Sequence, residues 1–125
     1  MTDLAAALEP FKTCPFCQSV WSDRGGFLAD TSVLLVGYQA NVRLPENGIF
    51  IFQHLAPECG TSLALRVIVF SDLYTGPKHP GLAFETPSCE KHCIKVDDLA
   101  GCSARCSAAY VRQLMQAILQ RQSAT

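Results

Sequence analysis

The chain has 125 residues, 49% of them hydrophobic and 17% charged, with a formal net charge of −1. That apolar share argues against a disordered polypeptide. The near-neutral balance, without a basic stripe interleaved with aromatics, argues against nucleic acid as a partner.

Taken in chain order, Thr2 or Asp3 can cap a short helix through Leu8 that Pro10 ends. Asp3 stands where a secretory leader would carry positive charge, so a cytoplasmic location is expected. Next comes FKTCPFCQSVW, Phe11 to Trp21, with a Cys-x2-Cys pair, and then a turn at Ser22 to Gly26. Three strand-like runs follow, Val33 to Val42, Ile49 to His54 and Ser62 to Phe70. The turns Pro45 to Gly48 and Pro57 to Gly60 separate them, and connections this short favour an antiparallel meander. The run Ser62 to Phe70 is broken by Arg66 and too short to cross a bilayer, so no membrane association is expected.

Ser71 to Pro87 reads as irregular, with three prolines. From about Ala100 to Gln120 an amphipathic helix is expected, because Cys102, Cys106, Tyr110, Leu114 and Ile118 recur every four residues and Val111 and Met115 widen the ridge. The fold class is therefore α+β: a small antiparallel meander of three or more strands, with a short N-terminal helix and a C-terminal amphipathic one.

Seven cysteines cannot all pair into disulfides. In a reducing compartment they are better metal ligands or catalytic thiols than structural bridges. Seven thiolates and one imidazole make eight donors, enough for two tetrahedral sites. The tetrapeptide Cys14-Pro15-Phe16-Cys17 resembles the active site of the glutaredoxins and equally the first knuckle of a zinc ribbon. The first resemblance implies a buried strand before the motif, a long helix from Cys14 onward and a dithiol that exchanges disulfides. The residues before Cys14 read as helical, and Gly25 and Gly26 cut short any helix after it. The second implies two further donors. His54 at a strand end and Cys59 in the turn Pro-Glu-Cys-Gly supply them, and Gly60 permits the sharp bend a knuckle needs. Cys14, Cys17, His54 and Cys59 are thus the expected zinc ligands, stapling the N-terminal segment to the sheet.

Cys89, Cys93, Cys102 and Cys106 form the second set, two Cys-x3-Cys pairs within eighteen positions. With Cys102 and Cys106 on one face of a helix start, thiolates would be favoured there. Four thiolates can take zinc or a [4Fe–4S] cluster. The twin pairs also resemble the helical hairpins of small intermembrane-space proteins, which implies the disulfides Cys89–Cys106 and Cys93–Cys102. His92 lies among them as an alternative donor.

The expected organisation is one metal-binding domain over 1–125: a zinc knuckle with the meander (1–75), a loop (76–88) and a cysteine-rich hairpin with the last helix (89–125). No phosphate-binding glycine loop, nucleophile elbow or obvious acid pair occurs. The sequence reads as a non-enzymatic metal-binding accessory, binding or regulatory, with protein as the conceivable partner. The rival is a thiol–disulfide or iron–sulfur redox protein. An apolar interaction face through Phe50, Phe52 and Tyr74 is a third reading.

Overall fold

A computed structural model describes residues 10–84 and 86–123. The expected N-terminal helix lies outside them. The described chain opens with a small antiparallel hairpin, β1 (Lys12–Thr13) and β2 (Val20–Trp21), that carries the first cysteine pair in its loop. A short helix α1 (Arg24–Ala29) leads into a second sheet of β3 (Val33–Gln39), β4 (Ile49–His54) and β5 (Ser62–Arg66). Its strand order is sequential and both pairings are antiparallel, the meander expected from the short turns. The last helix, α2, runs from Ala109 to Ser123.

Period-two alternation decides which side chains face inward. On β4, Phe50, Phe52 and His54 share the buried face; on β5, Leu63 and Leu65 do. A bulge at Val36 shifts the register of β3. Val33 and Leu35 point in before it, and Tyr38 rather than Gln39 after it, so that Tyr38 lies opposite Phe50. Tyr110, Val111, Leu114, Met115 and Ile118 of α2 join the same core. The ridge read from the sequence is thus buried against the sheet, as is the aromatic pair Phe50 and Phe52. Tyr74 stacks at 5.9 Å on Tyr110 and donates its hydroxyl to the Pro77 carbonyl.

Phe27 ties the small hairpin to the large sheet. Its ring lies 5.4 Å from Phe11, 5.2 Å from Trp21 and 5.0 Å from Phe52. Helix α1 exists to place it, although Gly25 and Gly26 make the sequence read as a turn. Asp23 caps the helix by accepting from the Gly26 N–H at 2.7 Å, and burial of Phe27 and Leu28 outweighs the glycines' poor propensity. On the β3 edge, the Gln122 side chain accepts from the Leu35 N–H and donates to the Val33 carbonyl. The Val96 carbonyl accepts from the Tyr38 N–H on the same strand.

Three expected boundaries move, the first being the end of β3, at Gln39 rather than Val42. β5 ends at Arg66, and Val67–Val69 closes into a 3-10 turn. The last helix begins at Ala109 rather than about Ala100, so Cys102 and Cys106 are not on a helical face. Gly101, Ser103 and Ser107 weaken helix there. Arg112 and Gln113 bind the Ala100 carbonyl and the Cys102 N–H instead, holding the segment as an open loop.

Truncating Phe27→Ala should destabilise the fold by about 3–5 kcal/mol, read as a lower denaturant midpoint at unchanged slope.

Candidate metal centre

Cys14 and Cys17 sit in the β1–β2 loop, whose shape the backbone fixes. The Cys14 N–H donates to the Ser19 carbonyl at 2.8 Å, and the Gln18 N–H to the Cys14 carbonyl at 3.0 Å. Gln18 takes a left-handed conformation, φ 67°, which turns the chain back immediately after the second cysteine. The β4–β5 connection repeats the device around Cys59, with Glu58 at φ 62° and Gly60 at φ 128°. Only glycine adopts the latter without strain. The surroundings are those of a hairpin knuckle. Among the described residues, no buried strand and long helix flank Cys14 and Cys17, as the glutaredoxin resemblance would require.

His54 arrives from a third direction. It continues the inward row Phe50, Phe52, His54, so strand geometry carries its imidazole under the first knuckle. The ring is 2% exposed and packs edge-on against Trp21 at 5.0 Å. Trp21 in turn donates its indole N–H to Asp30 at 2.8 Å. Burial works against the Asp30 charge, but hydrogen bonds from Ser32 and Trp21 outweigh it and hold the carboxyl below its ordinary range. Neither Trp21 nor Asp30 can be assigned to the site from spacing, since Trp21 reaches it through the β1–β2 pairing and Asp30 through the fold of α1.

The donor atoms of Cys14, Cys17, His54 and Cys59 all lie within 4.8 Å of one another. Magnitudes discriminate between chance proximity and a coordination sphere. Sulfurs about 2.3 Å from one tetrahedral ion stand about 3.8 Å apart, and a sulfur and an imidazole nitrogen about 3.6 Å. The structure has Cys14 Sγ 3.7 Å from Cys59 Sγ, and Cys17 Sγ 3.5 Å from His54 Nδ1. These four side chains can hold one metal ion, with Nδ1 the imidazole donor.

The surroundings favour thiolate at Cys17. Cys17 is drawn down to about 6 by hydrogen bonds from the Ser19 hydroxyl, 3.1 Å away, and the Ser19 N–H. The Thr61 N–H pulls Cys59 the same way, but burial and shared hydrogen bonds with Cys17 and Cys14 leave its thiol above the ordinary value. Ser19 is a contributor the sequence hides, because a serine two residues beyond a cysteine is unremarkable until the knuckle folds.

The second set behaves differently. Cys89, Cys93, Cys102 and Cys106 line one small, partly enclosed cavity. All seven cysteines of the chain are free thiols, so the bridges Cys89–Cys106 and Cys93–Cys102 are not formed. Among the described residues, the first set alone brings three or more donor atoms within 4.8 Å of one another. The four sulfurs of the second set therefore do not converge as ligands of a single ion. His92 is otherwise engaged, with Nδ1 2.9 Å from Asp98 and Nε2 3.2 Å from Glu90. Burial raises the Cys93 and Cys102 thiols above their ordinary value, with Arg112 opposing it. Arg112 is fully buried beside this cavity. A charge on an amphipathic helix ordinarily faces water, so nothing in the helical pattern singles it out.

No protein-family model, curated protein or solved structure matches the chain. Among the described residues no helix is long and apolar enough to cross a membrane.

Gly60→Ala should cost about 1–2 kcal/mol in urea unfolding. No atom lies within 4 Å of the added methyl, so the loss measures the φ of the knuckle and not a clash.

Proposed function

We propose that this chain is a small metal-binding protein in which Cys14, Cys17, His54 and Cys59 hold a zinc ion as a closed structural site. The observation that carries the reading is the pair of separations, 3.7 Å between sulfurs and 3.5 Å between sulfur and nitrogen, which match a tetrahedral zinc sphere. Three thiolates and an imidazole suit zinc over the harder cations. Four protein ligands leave no open position for water, which favours stapling over hydrolysis. Cys14 is fully buried and His54 nearly so, consistent with a site that seals part of the core.

Within this reading, the ion joins two hairpins that belong to separate sheets. The role is that of an accessory, binding, regulatory or redox, with no substrate chemistry of its own at this site. Cys89, Cys93, Cys102 and Cys106 are read as the second centre; because their sulfurs do not converge on one ion, an iron–sulfur cluster suits it better than zinc. Their common cavity supports that part of the reading.

Trp21, 5.0 Å from the imidazole, is the chain's single tryptophan and a built-in reporter. Stripping the metal with a strong chelator should red-shift its fluorescence and lower the melting temperature, because metal-binding energy is folding energy in such domains. By elemental analysis Cys14→Ser should bind about one equivalent of zinc fewer than the parent. Full metal content with an unchanged melting point in that variant would refute the site.

A further inference from the structure

Four thiols line one cavity, and no three of them come within single-ion distance of one another, which suits a guest that meets each sulfur at a separate atom. The geometry points to a [4Fe–4S] cluster held by Cys89, Cys93, Cys102 and Cys106. The inference rests on reading these residues as a second metal centre, and it is independent of the zinc site.

Spacing is the first argument. Zinc draws its ligand sulfurs into mutual contact, as Cys14 and Cys59 are at 3.7 Å. A cubane instead binds each thiolate at a separate iron corner, so its four sulfurs stand well apart around the cluster body. The second set is compatible with the latter and not the former: its four cysteines line one small cavity, yet no three of their donor atoms lie within 4.8 Å of one another.

Hydrogen bonding is the second. Iron–sulfur sites are tuned by N–H groups aimed at sulfur. Here the Ala83 N–H donates to Cys106 Sγ at 3.2 Å and the Lys91 N–H to Cys89 Sγ at 3.3 Å. Arg112 directs Nη1 toward Cys93 Sγ at 3.8 Å. Lys91 is left-handed, φ 64°, a turn that wraps its N–H back onto Cys89.

Charge is the third. The Arg112 guanidinium has no exposure, and its carboxylate neighbour, Asp98, lies 3.4 Å away and is partly exposed. Its other oxygen partners are the Ala100 and Asp98 carbonyls. A buried cation needs anionic compensation. A [4Fe–4S] centre with four thiolates carries net negative charge and supplies it on the side facing Cys93. The Tyr38 ring, 5.5 Å from the guanidinium, bears a buried hydroxyl with no hydrogen-bond partner. That hydroxyl lies within electrostatic reach of Cys93.

The two Cys-x3-Cys loops are held to each other without help from sulfur. Ser103 donates its hydroxyl to Glu90 at 2.5 Å, and His92 bridges Glu90 and Asp98. The cradle is therefore built before the guest arrives.

The test is anaerobic reconstitution of the full chain with ferric iron and sulfide, an added thiol reducing half of the iron to the mixed-valence state, followed by desalting. Expected are about four irons and four sulfides per chain and a broad absorption band near ~400 nm. Cys93→Ser and Cys106→Ser should lose the band and most of the iron while keeping the zinc of the first site. Cys59→Ser should keep the iron and lose that zinc, so failure of one centre is distinguished from failure of the other. Parent protein that retains no sulfide and binds about two zinc ions would overturn the proposal. So would parent protein whose four C-terminal cysteines resist alkylation as disulfides after aerobic purification and take up no iron once reduced.

Discussion

The inward row of β4 is the constraint on which the molecule turns. Strand periodicity leaves Phe50, Phe52 and His54 no choice but to share a face. The first two fill the core, and the third brings a polar, basic ring to its edge. A buried imidazole must be satisfied. The hairpin of Cys14 and Cys17 answers that need from above, the bend of Cys59 from the side, and Trp21 walls the ring off from water. A slip of one residue in the pairing of β4 would send His54 outward and empty the core together, so the site and the sheet share one register.

Helix α1 is the second necessity. The two hairpins have no strand in common, and their sheets are separate. Phe27 fills the gap by touching an aromatic from each side. Arg24 adds a fork to Asp72, at 2.5 and 3.0 Å, and a bond to the Val69 carbonyl. That pair is exposed and adds little energy, but it fixes where the segment after β5 leaves the sheet. Aromatic packing thus helps bring the four candidate ligands to one place.

How much of this could be read from the residues depends on range. The meander, the inward ridge of α2 and the grouping of Cys14, Cys17, His54 and Cys59 all follow from short periodicities and paired turn signals, which are local properties. Helix α1 is hidden because its two glycines speak for a turn, and only the tertiary burial of Phe27 overrides them. Cys102 and Cys106 look helical because four-residue spacing mimics the ridge that begins at Tyr110. The segment is pulled off the helix by side chains of α2 itself, contacts that no window of sequence contains. Arg112 belongs to the same class, a charge whose partners lie ten or more residues away along the chain.

The amide of Gln122 stands in for a fourth strand. By bonding the Leu35 N–H and the Val33 carbonyl, it occupies hydrogen-bonding groups that would otherwise be open to a neighbouring molecule. Val96 does the same further along at Tyr38. The outer side of β3 carries Leu34 and Val36, both exposed, next to this border. An unguarded border beside such residues invites edge-to-edge polymerisation. The last turn of α2 therefore blunts this border of the sheet while the turns before it fill the core.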